Sequence, residues 1–256
     1  MLKAILARLH QGHRTTNYPQ EPPALPPRFR GAPLIDASRC SAGCSACAAA
    51  CPTGALAAGT GRPAVDLGKC LFCPECPSHC PAGCISFGTD HRLAVNRREE
   101  LVVTAGEERK LADALQESML KLFGRSLKLR EVSAGGCNAC EADTNVLNTV
   151  GFDLGRFGVQ FVASPRHADG IYVTGPVTEN MRVALLKTWE GVPEPKLVIA
   201  AGACAINGGP FIGSPEQHHG VATFLPVDLY IPGCPPHPFT ILDGLLRLLG
   251  KIRDGR

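Results

Sequence analysis

Residues 70–81 read CLFCPECPSHCP, and the cysteines Cys70, Cys73, Cys76 and Cys80 keep the spacing C-x2-C-x2-C-x3-C-P. Three thiolates set two residues apart can wrap one iron–sulfur cube. The fourth, held off before a proline, reaches toward a neighbouring cube. A zinc site draws its four ligands from two separated pairs, and this run offers no such pairing. The stretch therefore reads as half of a two-cluster unit, with its other half to be sought nearby.

That half lies upstream. Cys40, Cys44, Cys47 and Cys51-Pro52 form a second run, in which Cys44, Cys47 and Cys51 recur 29 residues later as Cys73, Cys76 and Cys80. CPTGAL after the first run returns as CPAGCI after the second, and one inserted residue accounts for the wider first gap. In a pseudo-symmetric pair the last cysteine of each run serves the other cube. This assigns Cys40, Cys44, Cys47 and Cys80 to one cluster, and Cys70, Cys73, Cys76 and Cys51 to the other. Cys84 stands where the first half has Ala55 and reads as a small buried apolar residue rather than a ligand. His79, between ligands, reads as a surface side chain.

The whole chain agrees with metal ligation. Among 256 residues there are thirteen cysteines, an odd number. Met1 to His10 has no signal-length apolar core and no twin-arginine start, so a reducing compartment and metal binding are expected rather than a disulfide scaffold. A net charge of +3 implies no nucleic-acid partner, and a 45% hydrophobic composition suffices for a sizeable core. No stretch approaches the roughly 20 apolar residues of a bilayer span.

Around the two runs, Leu2, Ile5 and Leu9 suggest a short helix docking on a partner subunit, and the proline-dense segment from Tyr18 to Pro33 reads as an extended arm. Leu111, Leu115, Met119 and Leu122 recur at helical spacing and predict a linker helix over Glu107 to Phe123, punctuated by Gly106 and Gly124. The resulting division is an arm over 1–35, a cluster-binding domain over 36–104, a linker helix over 105–126 and a second domain over 127–256.

In that second domain LKLREV, VQFVA, GIYVTG, KLVIAAG and DLYIPG alternate with helical stretches, one after Thr178 and one opened by Pro238. Such alternation predicts a mostly parallel α/β sheet. Cys137 and Cys140, Cys204, and Cys234 each fall just after a strand, where the loops of a parallel sheet converge on one crevice. Four thiolates there would hold one more iron–sulfur cube; a structural zinc or buried free thiols remain the alternatives at this point. Glu141 beside a ligand reads as a hydrogen-bonding neighbour, with proton movement as its rival role. Arg166 and His167 read as an interface or potential-raising pair, or equally as a salt bridge. His218 and His219 read as exposed, and His237 as a neighbour of the ligand Cys234. No acid–base or nucleophilic constellation and no dinucleotide-type glycine loop is present, so no catalytic residue is assigned.

PPRFRG, LGKCLFC and RLAVNRREEL, with the two runs, resemble the two-cluster ferredoxin-like subunit of complex I and of formate hydrogenlyase-type hydrogenases, over roughly residues 17–104. GGCNACE, SPRHAD, GACAINGG and IPGCPPHP resemble the small subunit of group 4 nickel–iron hydrogenases and the homologous complex I subunit, over roughly residues 126–250. The resemblance implies an α+β ferredoxin-like N-terminal domain fused to an α/β flavodoxin-like C-terminal domain. It also implies a 4Fe–4S cluster on Cys137, Cys140, Cys204 and Cys234, making three 4Fe–4S clusters in all. The implied partners are a nickel–iron large subunit, with other electron-donor or membrane-arm subunits, in a complex on the cytoplasmic face of the membrane. The complex I relatives carry adjacent cysteines at the first ligand position, whereas Cys137-Asn-Ala-Cys140 looks like the hydrogenase form. A role within a complex I-like quinone oxidoreductase is the alternative.

Overall fold

The computed structural model describes residues 2–58 and 63–252. Met1 and residues 253–256, which the expected domain bounds include, lie outside the described residues.

A short helix, α1 (Leu2–Gln11), opens the chain with Leu2, Ile5, Leu6 and Leu9 all exposed. The arm follows and is laid over both halves of the protein: Gly31 N–H donates to Gly88 O and Ala32 N–H to Asp90 O, both at 2.8 Å. The two cysteine runs then build matching units. The first gives β1 (Pro33–Ile35), α2 (Ala46–Ala49) and β2 (Leu56–Ala57). After β3 (Ala64–Asp66), the second gives α3 (Glu75–Ser78) and β4 (Ile85–Phe87), and β5 (Val102–Thr104) closes the region. β1 pairs antiparallel with β4, tying the start of one unit to the end of the other, and β2, β3 and β5 form a second antiparallel sheet.

The expected linker helix is a correction. Only α4 (Glu117–Phe123) is helical; residues 107–116 are irregular. The apolar spacing is real, but tertiary bonds outcompete the helix. Ala112 N–H donates to Ala94 O, Leu115 N–H to Leu248 O and Asp113 N–H to the Asn96 side chain, while Arg109 pairs with Asp90 at 2.6 Å.

The rest is a parallel sheet with helices on both faces. Its elements are β6 (Leu127–Ser133), α5 (Ala139–Val146), β7 (Val159–Phe161), β8 (Gly170–Thr174), α6 (Glu179–Glu190), β9 (Leu197–Ala201), α7 (Gly202–Asn207), β10 (Leu229–Ile231) and α8 (Pro238–Leu248). Four of the five strands fall inside the expected segments, and β6 runs one residue past its own to Ser133. Their spatial order β7-β6-β8-β9-β10 is the doubly wound 2-1-3-4-5 order of flavodoxin-like sheets, with the reversal between β6 and β8. Side chains alternate across it: Ile171, Val173, Val198 and Ala200 face the core beneath α6, while Tyr172, Leu197, Ile199 and Leu229 face α8.

The N-terminal part docks on the β10 edge. Val95 and Tyr230 exchange both backbone hydrogen bonds, at 2.8 and 3.1 Å, so the last strand is not left open. A buried polar link reinforces the joint. Tyr18 of the arm donates its hydroxyl to Asp243 at 2.7 Å, Arg247 holds the other carboxylate oxygen at 2.8 Å, and His91 lies 3.1 Å from the Tyr18 oxygen. Burial, then the Asp243 charge, keeps the Tyr18 hydroxyl protonated far above the ordinary tyrosine range. Asp243→Ala removes the carboxylate facing Arg247 in an interior site and is expected to cost about 3–5 kcal/mol. The check is the urea midpoint followed by circular dichroism, with Asp243→Asn expected to lose less.

Candidate metal centres

All thirteen cysteines are free thiols, and eleven of the twelve expected ligands lie in three groups, Cys44 being placed only by its position in the chain. The first set forms around α2. Cys47 lies buried on that helix, and its thiol is pushed up by burial and then by the neighbouring Cys80 and Cys40 thiols. Cys44 completes the run from the turn ahead of α2.

The second set forms around α3. Cys51, Cys70, Cys73 and Cys76 line one small cleft with Pro52, Leu56, Val65 and Leu71. Burial pushes the Cys70 and Cys76 thiols up to about 12, and the thiols of the same set add to it. Cys51 thus sits with the second run and Cys80 with the first. Backbone N–H groups already point at sulfur: Phe72 to Cys70 at 3.3 Å, Ala55 to Cys51 at 3.3 Å and Cys84 to Cys80 at 3.2 Å. Phe72 reaches its sulfur by adopting a positive φ of 53°, rare for an aromatic residue.

The third set occupies the crevice at the carboxyl ends of β6, β9 and β10. Cys140 lies on α5 and Cys204 on α7, both buried, while Cys137 and Cys234 are exposed on the outer side. Burial pushes Cys204 up to about 12, followed by the Cys234 and Cys137 thiols. Two glycines keep this space open. A Cβ on Gly202 (φ +89°) would lie 2.6 Å from Cys140 Sγ, and one on Gly209 (φ +54°) 2.8 Å from Cys204 Sγ. Only hydrogen fits beside those sulfurs. The donor set is all sulfur in each place, and soft thiolates suit iron–sulfur clusters or zinc. Among the described residues, no three His, Cys, Asp or Glu side chains close around a single ion.

The second and third sets are neighbours. Cys73 and Cys234 line the same open groove of about 470 Å³, with Phe72, Arg30 and His237. Burial raises the Cys234 thiol, and after Cys137 the nearby Cys73 adds to it. His237 caps α8 by accepting the Phe239 N–H at 3.2 Å, stacks on the Phe239 ring, and is kept neutral by burial.

Other expected residues fall elsewhere. Glu141 is buried and accepts hydrogen bonds from Ser133 and, at 2.7 Å, from Thr174, so it is held as a hydrogen-bonded carboxylate beside Cys140. Arg166 and His167 lie in an exposed turn just before β8, at the opposite end of the sheet from the cysteine crevice. His218 bonds Glu179 at 2.6 Å, and His79 is exposed near the Glu75 carbonyl. Two residues carry signals that spacing does not weigh. Cys84 Sγ lies 3.2 Å from Cys80 Sγ, and burial and that thiol push it up to about 12. Glu131, on β6, is raised to about 7 by burial and then by Glu141, with its Oε1 buried and without a hydrogen-bond partner.

The family described as NADH ubiquinone oxidoreductase, 20 Kd subunit, matches residues 137–248. A probable membrane-bound hydrogenase subunit of Pyrococcus furiosus is 40% identical over 150 residues, 59% of this chain and 90% of that protein. The chain belongs to this 20 Kd subunit family. Formate hydrogenlyase subunit 7 of Escherichia coli is 42% identical over 141 residues, 55% of each chain. A subunit of the NADH-quinone oxidoreductase of Clostridium beijerinckii is 47% identical over 118 residues, 46% of this chain and 70% of that one. The matched 20 Kd subunit region begins at Cys137 and contains the whole third set; the two N-terminal runs precede it.

A carboxyl whose folded pKa is raised opposes folding above its unfolded value. For Glu131 that cost begins near pH 4.5, grows through about 7 and is constant above. Glu131→Gln is therefore expected to raise the unfolding midpoint, with a gain over wild type that widens from pH 5.5 to pH 7.5 by on the order of 1–2 kcal/mol. A gain that shrinks with pH would contradict the assignment.

Proposed function

We propose that this chain is the electron-transfer subunit of a membrane-associated group 4 nickel–iron hydrogenase, a fusion of a ferredoxin-like part with a hydrogenase small-subunit part. The observation that carries this reading is the third cysteine set. It stands in the ligand crevice of the doubly wound sheet and shares a groove with a ligand of the second set. The membership and the hydrogenase-subunit relatives support the same reading.

Bound 4Fe–4S cubes supply one-electron transfer at potentials the protein sets. Cys40, Cys44, Cys47 and Cys80 would hold one, Cys51, Cys70, Cys73 and Cys76 another, and Cys137, Cys140, Cys204 and Cys234 the third. The amides of Phe72, Ala55 and Cys84 donate to ligand sulfurs and orient them. Leu56, Val65 and Leu71 give the second set an apolar lining. Gly202 and Gly209 leave room at the third. Cys73 and Cys234, facing one groove, set the order of passage from the N-terminal sets to the last. Cys137 and Cys234 are exposed, so a large subunit with nickel and iron would seat over that face. Among the described residues no helix is long and apolar enough to cross a membrane.

A complex I-like quinone oxidoreductase is the second reading, favoured by the Clostridium relative. Hydrogen-dependent dye reduction by the purified complex, without quinone, decides for the hydrogenase; quinone-dependent activity alone decides for the other. Anaerobically purified chain is expected to hold about twelve irons, and Cys204→Ala about eight, with both N-terminal spin-resonance signals kept. A zinc-loaded, colourless protein would overturn the electron-transfer reading.

A further inference from the structure

The two cysteine repeats align after their prolines, Thr53 with Ala82 and Ala55 with Cys84. Each closing cysteine accepts a backbone N–H from the residue four positions on, at 3.3 Å for Cys51 and 3.2 Å for Cys80. The amides are thus equivalent, and the side chains are not. In the second repeat a further thiol, Cys84, is buried at 4% exposure with its Sγ 3.2 Å from Cys80 Sγ. In the first repeat that place holds the methyl group of Ala55. Thr53 does not compensate: its oxygen is 3.8 Å from Cys51 Sγ, and its one proton goes to the Lys69 carbonyl at 2.7 Å.

We propose that the Cys84 thiol donates a hydrogen bond to the Cys80 ligand sulfur and so raises the potential of the cluster held by Cys40, Cys44, Cys47 and Cys80; its pseudo-symmetric twin lacks that donor at the matching position. This rests on the ligation given under the proposed function. A ligating Cys80 carries no proton, so of the two sulfurs only Cys84 can donate. A donor at a ligand sulfur offsets negative charge there and favours the state with one more electron. Cys84 itself is buried while Cys80 is half-buried, so removing the thiol takes the donor from the covered side of the ligand. Two closing cysteines that receive matching amides are thereby distinguished by one side chain.

The experiment is an anaerobic redox titration of the full chain, read by electron spin resonance, for wild type, Cys84→Ala and Cys84→Ser. Iron is expected to stay at about twelve per chain in all three. In Cys84→Ala, the N-terminal signal that is altered by Cys44→Ala shifts to lower potential. The shift is about tenfold in electron affinity, ~59 mV for one electron, and the other two signals stay in place. Cys84→Ser keeps a donor and retains part of the wild-type potential. Unchanged midpoints in a twelve-iron Cys84→Ala protein overturn the role of Cys84 alone. Loss of about four irons in that variant also overturns it, because Cys84 would then be a ligand. Wild-type protein without iron overturns the ligation and this inference together.

Discussion

Thiolates crowded this closely repel one another, and burial penalises each of their charges. The raised values of Cys70, Cys76 and Cys204 show both effects at work on the bare thiols. A cationic metal core at the centre of each set would reverse that balance, since coordinated thiols lose their protons outright. On the proposed ligation, folding and metal binding would be coupled in this chain, and the architecture brings sulfur atoms together rather than separating them. The short helices α2 and α3, the sheet ends after β6, β9 and β10, and the glycines beside Cys140 and Cys204 all serve that end.

The joint between the two parts has the same purpose. Separate domains that only touched would leave Cys73 and Cys234 free to drift apart. Here the arm crosses from α8 to the N-terminal sheets, Val95 extends the β10 edge, and Tyr18, Asp243 and Arg247 fix the contact in the interior. One apolar core runs from Val65 and Leu101 to Val173 and Val198 without a break. A fixed separation between successive electron sites is what a conducting chain needs, and a shared core supplies it.

How much of this was legible in the sequence follows from the range of each interaction. Cysteine spacing is local, so the proximity of Cys51 to the second run and of Cys80 to the first could be expected from positions alone. The parallel sheet was visible because strand–helix alternation is also local, and its order placed Cys137, Cys204 and Cys234 at one end. The linker misled because its helical periodicity was genuine, yet bonds to Ala94 and Leu248 lie far away in the chain. The Tyr18–Asp243 pair spans 225 residues and leaves no pattern. Arg166 and His167, which read equally as an interface or potential-raising pair and as a salt bridge, lie in an exposed turn before β8, at the end of the sheet away from the cysteines. Cys84 looked inert because composition alone does not show the sulfur beside it.

The most direct measurement is Mössbauer spectroscopy on the full chain, enriched in iron-57 and purified without oxygen. The account predicts that essentially all iron appears in the sulfur-coordinated, valence-delocalised signature of four-iron cubes. Iron in mononuclear or oxygen-rich sites, or a protein whose thiols hold zinc instead, would contradict it.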